Sequence, residues 1–182
     1  MTLPTVLAHV ESGAASGFTS GFLHPLDGLD HVLAMLAVGL WGAQLGKPAV
    51  WALPVAFPMA MAFGGFLGLI GVPLPGVEVG IALSAVVLGA MVLLEVQPPL
   101  WLSSTLVGLF ALFHGHAHGT ELPEGANSTL YSIGFVTSTG LLHGAGIAIG
   151  LLHAFAWGKV VVRAGGAVIA TGGLYFLWSA LS

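Results

Sequence analysis

Along this chain, long apolar runs alternate with short breaks rich in polar residues, proline or glycine, and the runs have membrane-crossing length. A helix needs roughly 20 apolar residues to cross the hydrocarbon core. Such runs lie at 27–46, 49–71, 77–96, 98–118, 129–153 and 160–181, separated by GKP (46–48), GVPLPG (71–76), VQPP (96–99), GTELPEGANS (119–128) and WGKVVVR (157–163). The pattern predicts an all-α, polytopic transmembrane helix bundle of about six spans, with residues 1–182 forming a single integral membrane domain.

The first span is expected to be preceded by a broken helical segment. Residues 13–24 and 27–46 joined as one straight helix would extend about 50 Å against roughly 30 Å of hydrocarbon. Pro25 and Gly28 supply the expected break. Gly13, Gly17 and Gly21, four residues apart, leave one face bare for close helix packing. Ahead of them, residues 1–8 read as the remnant of a signal peptide without a basic n-region. Cleavage after Ala8 would leave His9 at the start of the mature chain.

Composition strengthens the membrane reading. Charged residues make up 5% of the chain and hydrophobic ones 57%, whereas soluble domains carry about 25% charged residues. The three basic residues are Lys47, Lys159 and Arg163. With an external amino terminus and six spans, all three fall on the inner side, as the positive-inside rule requires. The expected location is the inner or plasma membrane. A net charge of −4 gives no basis for a nucleic-acid partner, and the absence of cysteine excludes disulfides, thiolate metal ligands and a cysteine nucleophile.

Against so few charges, eight histidines stand out. Ionisable groups inside a membrane are costly and face a protein interior, a cavity or a pathway. HPLDGLDH (24–31) gathers His24, Asp27, Asp30 and His31, and FHGHAHGTE (113–121) gathers His114, His116, His118 and Glu121. On a helix His114 and His118 share a face, while His116 points elsewhere. The span limits put both clusters at similar depth near the outer side. Imidazole and carboxylate without thiolate suit divalent nickel, cobalt, zinc or copper. His24, Asp30, His31, His114 and His118 are the expected metal-ligating set. Asp27 is expected either to support a ligand or to cap the helix that follows.

His143 lies about 20 Å into the fifth span, near Thr137, Ser138 and Thr139. It is a candidate second station on an inward path, or a histidine bonded to a neighbouring helix. Glu95 and His153 fall near the inner surface, with exit roles as the lesser reading. Methionines are read as packing, and the tryptophans mostly as interfacial anchors.

HPLDGLDHVLAMLAVGLWGAQLG together with FHGHAHGTELPEGA closely resembles the HupE/UreJ family of nickel permeases associated with hydrogenase and urease operons. The resemblance covers essentially the whole chain, PLPGVEVGIALS included. Both family patterns, His-x5-Asp-His and Phe-His-Gly-x-Ala-His-Gly-x-Glu, occur complete. It implies inward movement of Ni²⁺, in some members Co²⁺, by secondary transport or facilitated diffusion. Carried over by position, the ligands are His24, Asp30, His31, His114, His118 and Glu121. His116 falls at a variable position. The resemblance also implies a functional link to nickel-enzyme maturation, no prosthetic group and no enzymatic activity.

The chain contains no phosphate-binding G-x-x-x-x-G-K-[ST] loop, in keeping with a non-ATP mechanism. An alternative function is a zinc-dependent intramembrane hydrolase, whose metal would activate water. No H-E-x-x-H helix supports it. A passive metal-delivery subunit is a third reading. The four-residue glycine spacings fit internal packing and a homo-oligomer equally well.

Overall fold

The computed structural model describes residues 17–120 and 127–182, which are helical throughout apart from short connections. The helices are α1 (Gly17–Asp27), α2 (Leu29–Leu45), α3 (Ala49–Leu69), α4 (Val77–Leu93), α5 (Leu100–Thr120), α6 (Ser128–Gly150) and α7 (Ala156–Leu181). A 3₁₀ turn, Leu151–Ala154, joins the last two. His9, Glu121 and the signal-like residues 1–8 lie outside the described residues.

Four helices, α3, α5, α6 (with its 3₁₀ extension) and α7, are long and apolar enough to cross a membrane. The bent pair α1–α2 makes a fifth candidate if counted as one span. At 17 residues, α4 is about 26 Å long, the lower limit for a crossing helix. Large apolar side chains such as Trp51, Met59, Phe63, Leu141 and Val168 face outward, as lipid-facing surfaces require. The protein is an integral membrane protein.

The first break falls at Gly28, whose extended backbone (φ −102°, ψ 109°) separates α1 from α2. The two helices meet at 83°. Pro25 stays inside α1, just as Pro54 and Pro58 stay inside α3. The expected connection at 157–163 is instead the first two turns of α7. WGKVVVR has no proline to stop a helix. The chain turns earlier, where Gly158 packs against the Leu152 carbonyl so closely that a side chain would overlap it.

Helix α2 is the centre of the bundle. It touches α3, α4, α6 and α7, and it is buried almost continuously from Ala34 to Gly42. Three helix pairs carry most of the packing, α3 with α5, α4 with α7 and α2 with α6. Each has a glycine seam. A Cβ at Gly115 would overlap the Met61 carbonyl, one at Gly89 the Ala170 amide, and one at Gly146 the Leu36 carbonyl. Lipid offers no hydrophobic drive for helix association, so such close backbone approach supplies the contact energy. Trp41 departs from the interfacial reading of the tryptophans. It is fully buried and donates its indole N–H to the Val96 carbonyl at 2.9 Å. The other four are exposed.

Candidate metal-conducting site

The bend at Gly28 lets His24 near the end of α1 and His31 in the first turn of α2 both meet His118 of α5, and His31 also meets His114. Gly21 makes this possible on one side, because α1 crosses α6 where a side chain would collide with the Tyr131 carbonyl. On the other side, Gly115 and Gly119 draw α5 against α3.

The four imidazoles form a continuous row. His24 and His118 have ring centroids 4.7 Å apart, His118 and His31 4.6 Å, and His31 and His114 4.7 Å. Phe135 closes over His118 at 4.5 Å, and Tyr131 stands 5.8 Å from His24. The row then meets the fully buried Phe57, whose ring lies 5.4 Å from His114 and 5.3 Å from His143. Phe57 therefore separates the four rings from the buried His143 on α6.

Hydrogen bonding fixes two of these rings. Asp30 Oδ1 accepts from His31 Nδ1 at 2.8 Å and from the His31 backbone N–H at 2.8 Å. A carboxylate so placed orients the imidazole and makes its other nitrogen more basic. Ser84 donates to the Ile81 carbonyl at 2.6 Å, so its oxygen is left to accept from His114 Nε2 at 2.9 Å. These pairings leave His31 Nε2 and His114 Nδ1 buried without a hydrogen-bond partner. Both nitrogens of His118, Thr139 Oγ1 and His143 Nε2 share that condition. Buried polar atoms are nearly always paired, so these exceptions mark positions where water or an ion can bind. Neutral imidazole nitrogens are donors for borderline divalent cations.

Among the described residues, no three His, Asp or Glu side chains converge on one point as a coordination shell. The rings meet edge to face at His24–His118 and His31–His114 and at a tilt of 54° at His31–His118 instead. That arrangement suits transient ligation by one or two rings with water completing the shell.

The remaining candidate residues are dispersed. Asp27 is exposed, and α2 has Gly28 as its N-cap with no side-chain cap bond. His116 turns away from the row and donates from Nε2 to the Val72 carbonyl at 2.7 Å, tying α5 to the α3–α4 connection. Asp30 also lines a cavity of about 220 Å³ with Glu78, Phe176, Ser179 and Ala180. A larger cavity of about 310 Å³ lies among α3, α5 and α6, with His118 in its otherwise mostly apolar wall.

Phe57 and Ser84 were not singled out from the sequence. Ser84 is the one hydroxyl residue in α4, a signal open to a search for lone polar groups in apolar spans. Nothing local distinguishes Phe57 from the other nine phenylalanines of the chain.

The family model described as HupE / UreJ protein matches residues 1–176. Protein HupE of Rhizobium leguminosarum bv. viciae is 46% identical over 178 residues, covering 97% of this chain and 93% of that protein. No solved structure gives a significant match. The chain belongs to the HupE/UreJ family.

Proposed function

We propose that this protein is a permease that carries Ni²⁺, with Co²⁺ as the alternative cargo, inward across the cell membrane. The family is associated with nickel and cobalt transport for hydrogenase and urease. The observation that carries the reading is the row of four imidazoles at His24, His118, His31 and His114, with buried ring nitrogens on His31, His114 and His118 that have no partner. Ni²⁺ exchanges hydration water for imidazole at this row, with Asp30 holding His31 in its donor orientation. Glu121 completes the set proposed from the family pattern. The ion then passes Phe57 to His143, beside Thr139, and continues inward. Binding by few ligands at a time is strong enough to select and weak enough to release.

In this reading α2 to α7 are six spans, and the row lies on the outer side. Lys47 between α2 and α3, and Lys159 and Arg163 at the start of α7, then face the cytoplasm. His9 and Asp27 belong to the outer approach, and His116 supports the fold of the path. A hydrolase needs a general base beside its metal. Asp30, the carboxylate in contact with the row, is instead engaged with His31, which favours transport. Nickel accumulation by cells expressing His24→Ala or His114→Ala tests the proposal. Loss of uptake with normal membrane insertion is expected, and undiminished uptake would refute it.

A further inference from the structure

At the opposite end of α2 from the histidine row, the end of α4 is built with unusual care. Leu94 caps the helix, the Glu95 backbone N–H donates to the Val92 carbonyl at 3.3 Å, and the Val96 backbone N–H donates to the Met91 carbonyl at 3.0 Å. This is the paired closure in which the residue after the cap takes a left-handed backbone, a position held mostly by glycine. Here that residue is Glu95, with φ 54°, the one described non-glycine residue with positive φ. Its charge is also misplaced, since a helix C-terminus disfavours an anion. Two local rules are broken at this one residue, and such departures concentrate at functional sites.

The surroundings hold this end rigid. Trp41 donates to Val96 O, Gln44 Nε2 to Val92 O at 3.0 Å, and Arg163 Nε to Leu93 O at 3.0 Å. Thus fixed, Glu95 Oε1 lies 3.3 Å from His153 Nε2 on the 3₁₀ turn between α6 and α7, and both side chains are partly buried. The buried Gln44 Oε1 has no hydrogen-bond partner. An imidazole and a carboxylate from two different connections, side by side, offer the donor types found at the row.

Resting on the permease reading, we infer that Glu95 and His153 form a weak, water-completed divalent-cation site at the inner mouth, from which the cargo is released. Two protein ligands bind less tightly than a full shell, which favours departure into the cytoplasm.

The test is Ni²⁺ flux in proteoliposomes of the purified full chain, wild type against Glu95→Gln, Glu95→Gly and His153→Gln. Glu95→Gln keeps an oxygen facing His153 but no anionic ligand, and Glu95→Gly suits the left-handed backbone. Each variant is expected to lower the maximal inward rate without raising the half-saturating Ni²⁺ on the outer side. With Ni²⁺ supplied from the inner side, half-saturation should rise about tenfold, on the scale of losing a metal-orienting partner. Glu95→Gly should also melt at or above the wild-type temperature. Wild-type kinetics in Glu95→Gln and Glu95→Gly overturn the site and leave the outer row standing. Loss of rate only in step with loss of thermal stability also overturns it, because an ion pair of the fold alone behaves that way. Absence of flux in the wild type defeats both the site and the permease reading.

Discussion

Ser84 on α4 and His114 on α5 are joined by a 2.9 Å hydrogen bond, and the Ser84 hydroxyl proton is directed at the Ile81 carbonyl 2.6 Å away. The serine oxygen therefore accepts from His114 Nε2, which places the lone pair of the ring on Nδ1. Ser84→Ala removes the acceptor that fixes this tautomer. The half-saturating Ni²⁺ concentration for uptake should rise about 10–100-fold, the usual cost of losing a partner behind a metal-ligating histidine. Melting temperature should change little, and a transport assay paired with thermal unfolding of the purified variant separates the two effects.

His114 and His116 are two residues apart and perform different tasks. The His116 ring is spent on the Val72 carbonyl, so His116→Gln, which keeps an N–H donor, should retain uptake. The expected loss is about 0.5–1.5 kcal/mol of stability if the new bond is poorly made. His114→Ala should abolish uptake. Equal defects in both variants would show that the row does not distinguish His114 from its neighbour.

The glycine seams make a prediction about stability rather than transport. A methyl group at Gly115 meets the Met61 carbonyl, whereas one at Gly140 meets nothing within 4 Å. Gly115→Ala should cost about 1–3 kcal/mol by forcing α3 and α5 apart. Gly140→Ala should fall within about 1 kcal/mol of wild type, on the stabilising side, because alanine is the better helix former. Thermal unfolding in detergent of the two variants reads the difference directly.

Orientation is testable because the chain contains no cysteine. A single cysteine replacing Lys47, exposed between α2 and α3, should react with a membrane-impermeant maleimide only after cells are opened. One replacing Thr129, exposed in the first turn of α6, should react in intact cells. The opposite pattern would place the histidine row on the cytoplasmic side and reverse the direction of capture.

Much of the architecture was legible in the residues because hydropathy and helix breakers act locally. The α2, α3, α4 and α5 limits lie within a few residues of the runs bounded by GKP, GVPLPG and VQPP. What local reasoning missed depends on which helices meet. Trp41 carries the composition of an interfacial anchor, yet α2 is enclosed by four helices, and its indole bonds the Val96 carbonyl just beyond α4. Lys159 and Arg163 suggest a loop, but nothing in WGKVVVR stops a helix, and the turn is made at Leu151–Ala154. The histidines of the row could be named from their cost in an apolar chain. The roles of Phe57 and Ser84 arise only from the seams that press α3, α4 and α5 together. Asp27, equally polar in the sequence, ends up exposed beside the bend.

The central claim is that this chain alone moves nickel by way of the histidine row. Accumulation of Ni²⁺ in proteoliposomes of purified protein, without ATP and with Co²⁺ and Zn²⁺ as competitors, tests it most directly. Saturable Ni²⁺ entry is expected, with Co²⁺ the stronger competitor, and it should be lost in His24→Ala and His114→Ala proteins of wild-type fold. No entry with the wild type, or full entry with either variant, would contradict it.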